Sequence, residues 1–487
     1  LRRSGLAHIL AISGLHMALV AATVISGLRM LLALFPAVVL AYPVRKWASG
    51  GGLFAATFYL ILSSANVSTQ RAYIMVAIML IAVIFDRRAL TMRNVAIAAF
   101  AVLVLTPEAI LMPGFQMSFA AVAALVATYE TLSRRSRRSG FNSRISEYGL
   151  IRRFVVRDMG GLALTSLVAG IATGLFAAYH FHRVAPLGLI ANLGAMPLVS
   201  LIVMPLALLS VLAMPFGLEQ YPLWLMAYGT DGVVEVAHWV SQRGPLGNTG
   251  LIPVTVMLAG TVALLIACLF KTKLRWLALA GLIVAIAGMS FRNVPDVLIL
   301  ENGAQIGVLD GRGMLTVMRP RAEKFSTKIW RRAFSPSMLA ADGAISKNGS
   351  VKDKTLKSVP SQRGQKQNLP NPFTCDASGC VAYFKGVRIA SVQRSASLVE
   401  DCLLADVLVI RFKAPDACGF VAESDRPMII DQNRLKRLGA HGLRVDGLPF
   451  DAQGKERPEP RAARLGRIKI ITAFDTNSRP WTRHRFQ

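Results

Sequence analysis

Polar side chains lie along the first apolar segment of the sequence, which predicts a helix from about Leu6 to Leu28. Four polar or small residues fall on one face of that helix: Ser13, His16, Thr23 and Gly27. Polar groups at membrane depth are costly, so they serve either function or hydrogen bonding between helices, and His16 fits both. Ser13 and His16 could also be the nucleophile and base of a hydrolase, although the early helices offer no carboxylate to orient the histidine.

Further along the chain, Arg71 closes a polar run that begins at Asn66. This arginine fits a pore mouth and equally an interfacial charge whose stem lies in lipid. Gln116 and Ser118 follow a Pro-Gly pair, where they either line a path or hydrogen-bond the start of a helix.

A third group of polar residues contains His180, His182 and Asn192. Two histidines spaced by two residues point to different faces of a helix, and no carboxylate is near them in sequence. We therefore expect no metal site there and no other cofactor.

The elements that must position these residues are membrane helices. Hydrophobic residues make up 53% of the 487, and the mean hydropathy is +0.47. Apolar runs of roughly 18 to 25 residues, long enough to cross a bilayer, continue to about residue 290. Predicted spans are Leu6–Leu28, Trp47–Ser64, Ala72–Phe85, Asn94–Met112, Pro113–Tyr129, Met159–Tyr179, a proline-interrupted run from Ala185 to Ala213, Leu251–Phe270 and Trp276–Ser290. Met30–Val44 is expected to be a hinge or an interfacial helix, and Tyr221–Val240 is amphipathic.

Basic loops orient these spans. The arginine-rich segment Leu132–Asp158 and the loop with Arg87 and Arg88 are predicted to be cytoplasmic, which places Ser63–Arg71 outside. The net charge of +28 is permissive for a polyanionic partner but does not require one.

Several short motifs carry a resemblance to a known family. They are Ala7-His8-Ile-Leu-Ala-Ile-Ser13-Gly14-Leu-His16, Thr69-Gln-Arg71-Ala72, Gly114-Phe-Gln116-Met-Ser118-Phe119, and Tyr179-His180-Phe-His182 through Asn192. Together they resemble the competence domain of ComEC-type natural-competence proteins, over roughly residues 1 to 290. Because the N-terminus lacks methionine and a signal-peptide layout, we interpret the chain as an N-terminally truncated fragment.

The resemblance implies a channel in the bacterial inner membrane that passes single-stranded DNA into the cytoplasm. It implies that Ser13, Gly14, His16, Arg71, Gln116, Ser118, His180, His182 and Asn192 line or gate the DNA path. The partners would be single-stranded DNA, membrane lipid and, since no Walker motif is present, separate cytoplasmic motor or DNA-processing proteins. The sequence is also compatible with a homo-oligomer, and composition alone would favour a small-solute transporter.

The C-terminal part is predicted to be a small soluble α/β or mostly β domain. It would start at 291–333, continue after a linker or insertion at 334–372, and end with 373–487. Four cysteines, Cys375, Cys380, Cys402 and Cys418, fit two disulfides in an extracytoplasmic domain. ComEC-like proteins often end in a metallo-β-lactamase-like domain, but this part holds only His441 and His484 and lacks the metal motif. We therefore expect either a degenerate form of that fold or a replacement, and no enzyme.

Overall fold

A computed structural model describes residues 4–10, 14–139, 159–244, 247–270, 272–290, 292, 294–310, 313–320, 322–334, 372–412, 417–446 and 459–473. The chain divides into two compact units. The first comprises Leu1–Gly247 with Ile252–Phe291, and the second comprises Asn248–Leu251 with Arg292–Gln487.

The first unit is built almost entirely from helices. These are α1 (Ala7–Leu10), α2 (Gly14–Ala33), α3 (Pro36–Ala41), α4 (Val44–Leu62), α5 (Val67–Ile84), α6 (Met92–Leu105), α7 (Pro113–Ser139), α8 (Gly160–Phe181), α9 (Gly188–Leu198), α10 (Met204–Ala213), α11 (Gln220–Arg243), α12 (Val254–Leu269) and α13 (Leu277–Gly288). Two-residue strands occur at β1 (Arg183–Val184) and at β2 (Gly247–Asn248), whose second residue is assigned to the second unit.

Five helical segments in the described part of the chain are long and apolar enough to cross a membrane: His16–Ala33, Val67–Ile84, Pro113–Arg134, Gly160–Phe181 and Gly188–Phe216. The α6 and α12 helices are shorter and also apolar. Large apolar side chains on the surface of these helices, such as Phe54 and Phe100, remain exposed in the isolated chain. Lipid covers such surfaces in a membrane. The predicted polytopic helical class is confirmed, and this is a multi-pass membrane protein.

Small residues allow α2 and α4 to approach closely. A Cβ on Gly52 would lie 2.7 Å from the Ile25 Cγ1 atom, and one on Gly51 would overlap Leu28 Cδ1. Glycine at such positions lets membrane helices pack by direct van der Waals contact. Two neighbouring helices, α5 and α6, pack with α7 around an apolar cluster that includes Val102 and Phe119.

The helix boundaries differ from the predicted ones in several places; for example, α5 begins five residues before the predicted Ala72 and α6 ends at Leu105 instead of Met112. Arg29 does not end the first long helix, which begins at Gly14 and continues to Ala33. The α7 helix runs through the start of the predicted arginine-rich loop to Ser139, and residues 140–158 lie outside the described ranges. Between α9 and α10 the chain forms a π-helical turn, Val199–Val203, directly after Pro197. A proline inside a helix removes one backbone hydrogen bond and clashes with the preceding turn, which accounts for the local widening.

The second unit contains two five-stranded sheets. One has the order β12-β11-β3-β4-β5 and is antiparallel throughout, with β3 at Val297–Ile299, β4 at Ile306–Leu309, β5 at Leu315–Val317, β11 at His441–Val445 and β12 at Ile468–Thr472. The other has the order β10-β9-β8-β7-β6, with β6 at Phe373–Cys375, β7 at Gly379–Phe384, β8 at Val387–Val392, β9 at Val407–Ile410 and β10 at Met428–Ile430. Its β8, β9 and β10 strands are parallel.

Alternating apolar residues place a core between the sheets and a helix outside each one. Val297 and Ile299 face the central core, whereas Leu298 packs with Trp330 of α14 (Lys324–Phe334). On the second sheet, Leu408 packs with Cys402 of α15 (Leu398–Leu404). Two further helices, α16 (Gln432–Leu438) and α17 (Arg461–Gly466), complete the unit. The β-rich class predicted for this part is confirmed.

The four cysteines of this unit form two disulfides, Cys375–Cys380 and Cys402–Cys418. The predicted linker falls almost entirely outside the described residues, at 335–371, and so does His484. The compartment of the unit and its relation to the metallo-β-lactamase fold stay predictions.

Candidate functional site

A buried arginine marks the beginning of α5. Only 8% of Arg71 is exposed, and its Nε atom has no hydrogen-bond partner. In the described part of the chain, no carboxylate forms an ion pair with its guanidinium. Thr69, two residues earlier and fully buried, likewise has an unpartnered hydroxyl oxygen. Burying a charge without a counter-charge is expensive, so this arrangement is unusual for a purely structural residue.

The guanidinium of Arg71 lies against the first turn of α7. A Cβ placed on Gly114 would overlap the Arg71 Nη2 atom and would be 3.2 Å from Cζ. A side chain at position 114 would therefore displace the guanidinium, and glycine leaves the space that it occupies. The amino-terminal end of a helix carries partial positive charge, so it cannot neutralise the arginine.

One turn into α7, Gln116 joins this helix to α8. The Gln116 side-chain oxygen lies 2.8 Å from His180 Nε2, and its amide nitrogen donates to the carbonyl oxygen of Ile110 at 2.9 Å. With this amide orientation, Nε2 of His180 donates the hydrogen. Arg71, Gln116 and His180 thus lie at neighbouring helix ends on one side of the bundle.

The first motif reaches the same region through α2. A Cβ on Gly14 would make ordinary contact with the Ala72 side chain at 3.7 Å, and Met17 packs in a buried cluster with Ala72. His16 is half-buried on the same helix. Ser13 lies outside the described residues, so its predicted position beside His16 stays a prediction.

The remaining predicted residues occupy other positions on α7, at the end of α8 and on α9. Ser118 comes two residues after Gln116 and so lies on another side of α7. His182 ends α8 in a left-handed conformation, with φ of 52°, so the two histidines are not side by side on one helix. Asn192 lies on α9, where its side-chain oxygen is buried without a hydrogen-bond partner.

No group of three histidine, cysteine, aspartate or glutamate side chains in the described ranges is arranged to hold a metal ion. In the second unit, His441 is 1% exposed on β11 and its Nδ1 atom is 2.8 Å from the Gly439 carbonyl oxygen. Burial lowers the pKa of this imidazole below its usual value. Its surroundings are those of a core residue.

Sequence reasoning selected Arg71 and Gln116 as candidates but not Gly114, which contacts Arg71, or the buried Thr69. Both belong to the quoted motifs. The available signal was their position: Gly114 follows the proline that starts a helix, and Thr69 is part of the polar run before Arg71. Neither signal reveals which helix faces them.

The helices and the buried polar cluster define a polytopic membrane protein with a polar site at one end of its bundle. A model of the family described as "Competence protein" matches residues 1–274. The chain belongs to this competence-protein family, as the motifs predicted.

Two curated proteins are similar to the chain. Competence protein ComA of Neisseria gonorrhoeae is 30% identical over 332 residues, which is 65% of this chain and 41% of that protein. ComE operon protein 3 of Bacillus subtilis strain 168 is 24% identical over 211 residues, which is 43% of this chain and 23% of that protein. The chain thus spans less than half the length of these relatives. No solved structure matches it.

Proposed function

We propose that the first unit forms an inner-membrane channel that passes single-stranded DNA into the cytoplasm during natural transformation. The observation that carries the proposal is the buried guanidinium of Arg71, without a counter-charge in the described part of the chain, at the end of the bundle where four family motifs meet. Membership of the competence-protein family supports a role in DNA uptake.

A phosphodiester is the anion that fits this site. An arginine guanidinium presents a planar set of donors that matches two phosphate oxygens, and the first turn of α7 adds partial positive charge. Both features stabilise an anion. With a phosphate present, the charge on Arg71 would be neutralised without a protein carboxylate.

The neighbouring Gln116–His180 pair supplies polar groups without further charge. Its hydrogen bond joins α7 to α8 and fixes the imidazole edge at the same end of the bundle as Arg71. A strand that must move needs weak, repeated contacts, because a tight site would stop conduction. One arginine beside neutral polar groups meets that requirement.

The orientation follows from the arginine-rich segment. The α5, α7 and α8 ends that carry the site are opposite Arg134, which lies in that segment near the far end of α7. By the positive-inside rule, the site faces the extracytoplasmic side. The basic hairpin with Lys271, Lys273 and Arg275 stays inside by the same rule, which places the second unit outside as well. The proposed substrate is single-stranded DNA, and separate cytoplasmic proteins provide the motor.

The test replaces Arg71 in a transformable strain that carries this gene. We expect Arg71→Gln to reduce transformation at least about tenfold, the loss typical for a hydrogen bond to a charged group. Arg71→Lys keeps the charge but loses the planar fork, so it should retain part of the activity. Labelled DNA should still bind the cells and should fail to appear in the cytoplasm.

The matched control is Arg243→Gln, since Arg243 is exposed and rests over the Trp239 ring. It should transform normally. Normal transformation by Arg71→Gln at normal protein abundance would refute Arg71 as the phosphate contact. If Arg71→Gln instead abolished uptake of labelled small solutes and left transformation intact, the result would favour a small-solute transporter.

A further inference from the structure

A second charged feature lies at the opposite end of α7. A cleft of about 620 Å³ opens among the start of α4, the loop before α6 and the last turns of α7. Arginines from all three places line it: Arg45, Arg88 and Arg134. Glu130 lines it too, so the cleft keeps a net positive charge. The nearby Asp86 carboxylate is already paired with Lys46.

Hydrogen bonds from the first turn of α6 hold the loop that carries Arg88 in place. Asn94, 4% exposed on α6, donates through its amide nitrogen to the carbonyl oxygens of Arg88 at 3.0 Å and of Ala89 at 2.8 Å. Thr91 caps the same helix by accepting from the Asn94 backbone amide. These hydrogen bonds fix the wall of the cleft that carries Arg88, so this wall keeps its position without a bound ligand.

Aromatic side chains show where this cleft stands relative to the bilayer. Tyr42 and Trp47 stack at 5.0 Å beside Arg45, and both are about half exposed. Tyr129 lines the cleft with 59% of its surface exposed. Tyrosine and tryptophan with one apolar and one wet end are typical of the headgroup level of a membrane.

The cleft is separated from the Arg71 site by apolar packing. Between α5, α6 and α7 the described side chains form one buried apolar cluster, which runs from Phe115 near the site to Val126 near the cleft. A strand of phosphates would not pass between these three helices. The cleft therefore resembles a lateral site at the lipid boundary more closely than the inner mouth of a channel.

We propose that this cleft binds the phosphate headgroup of an anionic phospholipid, in the leaflet on the arginine-rich side. Three guanidinium groups supply donors for the phosphate, and Leu90 in the cleft wall offers an apolar surface for the glycerol region. Basic pockets between helices at this level bind anionic headgroups. The site does not depend on the DNA channel and anchors the α4, α6 and α7 ends against one lipid.

The test measures lipid binding to the purified full chain by native mass spectrometry. Phosphatidylglycerol should bind more tightly than phosphatidylcholine of the same acyl composition. Each of Arg45→Gln and Arg134→Gln should weaken phosphatidylglycerol binding roughly fivefold, which corresponds to the loss of one basic residue near a membrane surface. Asn94→Ala should weaken it without removing charge, in a protein whose thermal midpoint shows that it is folded. Arg243→Gln, outside the cleft, is the control and should bind normally.

Equal binding of the two lipids, or unchanged phosphatidylglycerol affinity in the Arg45→Gln and Arg134→Gln double variant, would overturn the proposal. If the double variant instead loses binding of a thymidine oligonucleotide while phosphatidylglycerol binding is intact, the cleft serves DNA and the lipid site is refuted. Failure here leaves the Arg71 result unaffected, because that variant tests the other end of the bundle.

Discussion

At the scale of single residues, the contact between Arg71 and Gly114 predicts the effect of a substitution at Gly114 on transformation. Gly114→Ala adds one methyl group where the guanidinium lies, and the flexible arginine stem must move to avoid it. We expect the protein to insert and accumulate normally and transformation to fall at least about tenfold, because the charge-assisted contact is misplaced. Transformation frequency and immunoblotting measure the two effects.

The control for this change is Gly174→Ala on α8. A Cβ at Gly174 meets no atom within 4 Å, so the same substitution has no steric effect there. Equal loss of transformation in both variants would mean that alanine acts through the helices in general, and would contradict a specific role for the Arg71–Gly114 contact.

Individual candidate residues could be selected from the sequence, but their grouping could not be predicted. Motif and polarity identify Arg71, Gln116 and His180 one at a time. Their meeting is set by how α5, α7 and α8 pack, and those helices are separated by tens of residues in sequence. The roles predicted for these three residues stay predictions, as do those of Ser13, Gly14, His16, Ser118, His182 and Asn192.

At the scale of helices, the glycines of α4 predict a position-specific effect on stability. Gly52→Val would place side-chain atoms inside Ile25 of α2, which is a case of overpacking that costs about 1 to 3 kcal/mol. We expect a lower thermal midpoint for the purified protein in detergent, since the α2–α4 contact must open.

Gly50→Val is the matched comparison. It lies two residues earlier on the same helix, and a Cβ there meets nothing within 4 Å. The change should shift the free energy of unfolding by less than about 0.5 kcal/mol. A similar fall for both variants would show that helix propensity, and not the α2–α4 contact, governs the response.

Helix identity could be predicted well because an apolar run of spanning length is stable in lipid and would be unfavourable in contact with water. Helix ends were less predictable. The charge of Arg29 predicts the end of a membrane span at this residue. Its long aliphatic stem allows the helix to continue past it to Ala33. Pro197 predicts a break, whereas the surrounding helix accommodates it through a π turn and continues to Ala213.

At the scale of the whole molecule, the two disulfides predict an oxidising location for the second unit. Both pairs should be protected from alkylation in cells until a reductant is added. Free thiols before reduction, or an active cytoplasmic reporter fused after Arg292, would contradict this location.

The two disulfides should also contribute different amounts to the stability of the second unit. The Cys402–Cys418 bond closes the longer loop and lies in the core beside Leu408, whereas Cys375–Cys380 closes a five-residue separation. The loss of chain entropy in the unfolded state predicts a stabilisation of about 3 kcal/mol by Cys402–Cys418 and of about 2 kcal/mol by Cys375–Cys380. Replacing Cys402 and Cys418 by serine should therefore increase protease sensitivity of the second unit more than replacing Cys375 and Cys380. The reverse order would contradict the loop-length argument.

The two-part organisation could be predicted from the hydropathy alone, and so could a β-rich second part. The sheet order could not. Short strands of Val, Leu and Ile, such as β3 and β9, give no indication of which strand lies beside which, because every residue in them is buried on one face or the other.

The central strand pair of the first sheet has a consequence for synthesis of the chain. The β3 strand is the first strand after the last membrane helix, yet its partner β11 comes far later, and Asp296 accepts a hydrogen bond from the Val445 backbone amide across 149 residues. During synthesis, β3 can at first pair with β4 on one edge only. Its other edge stays open until β11 has been translated, so nascent chains must be shielded from edge-to-edge association during that interval.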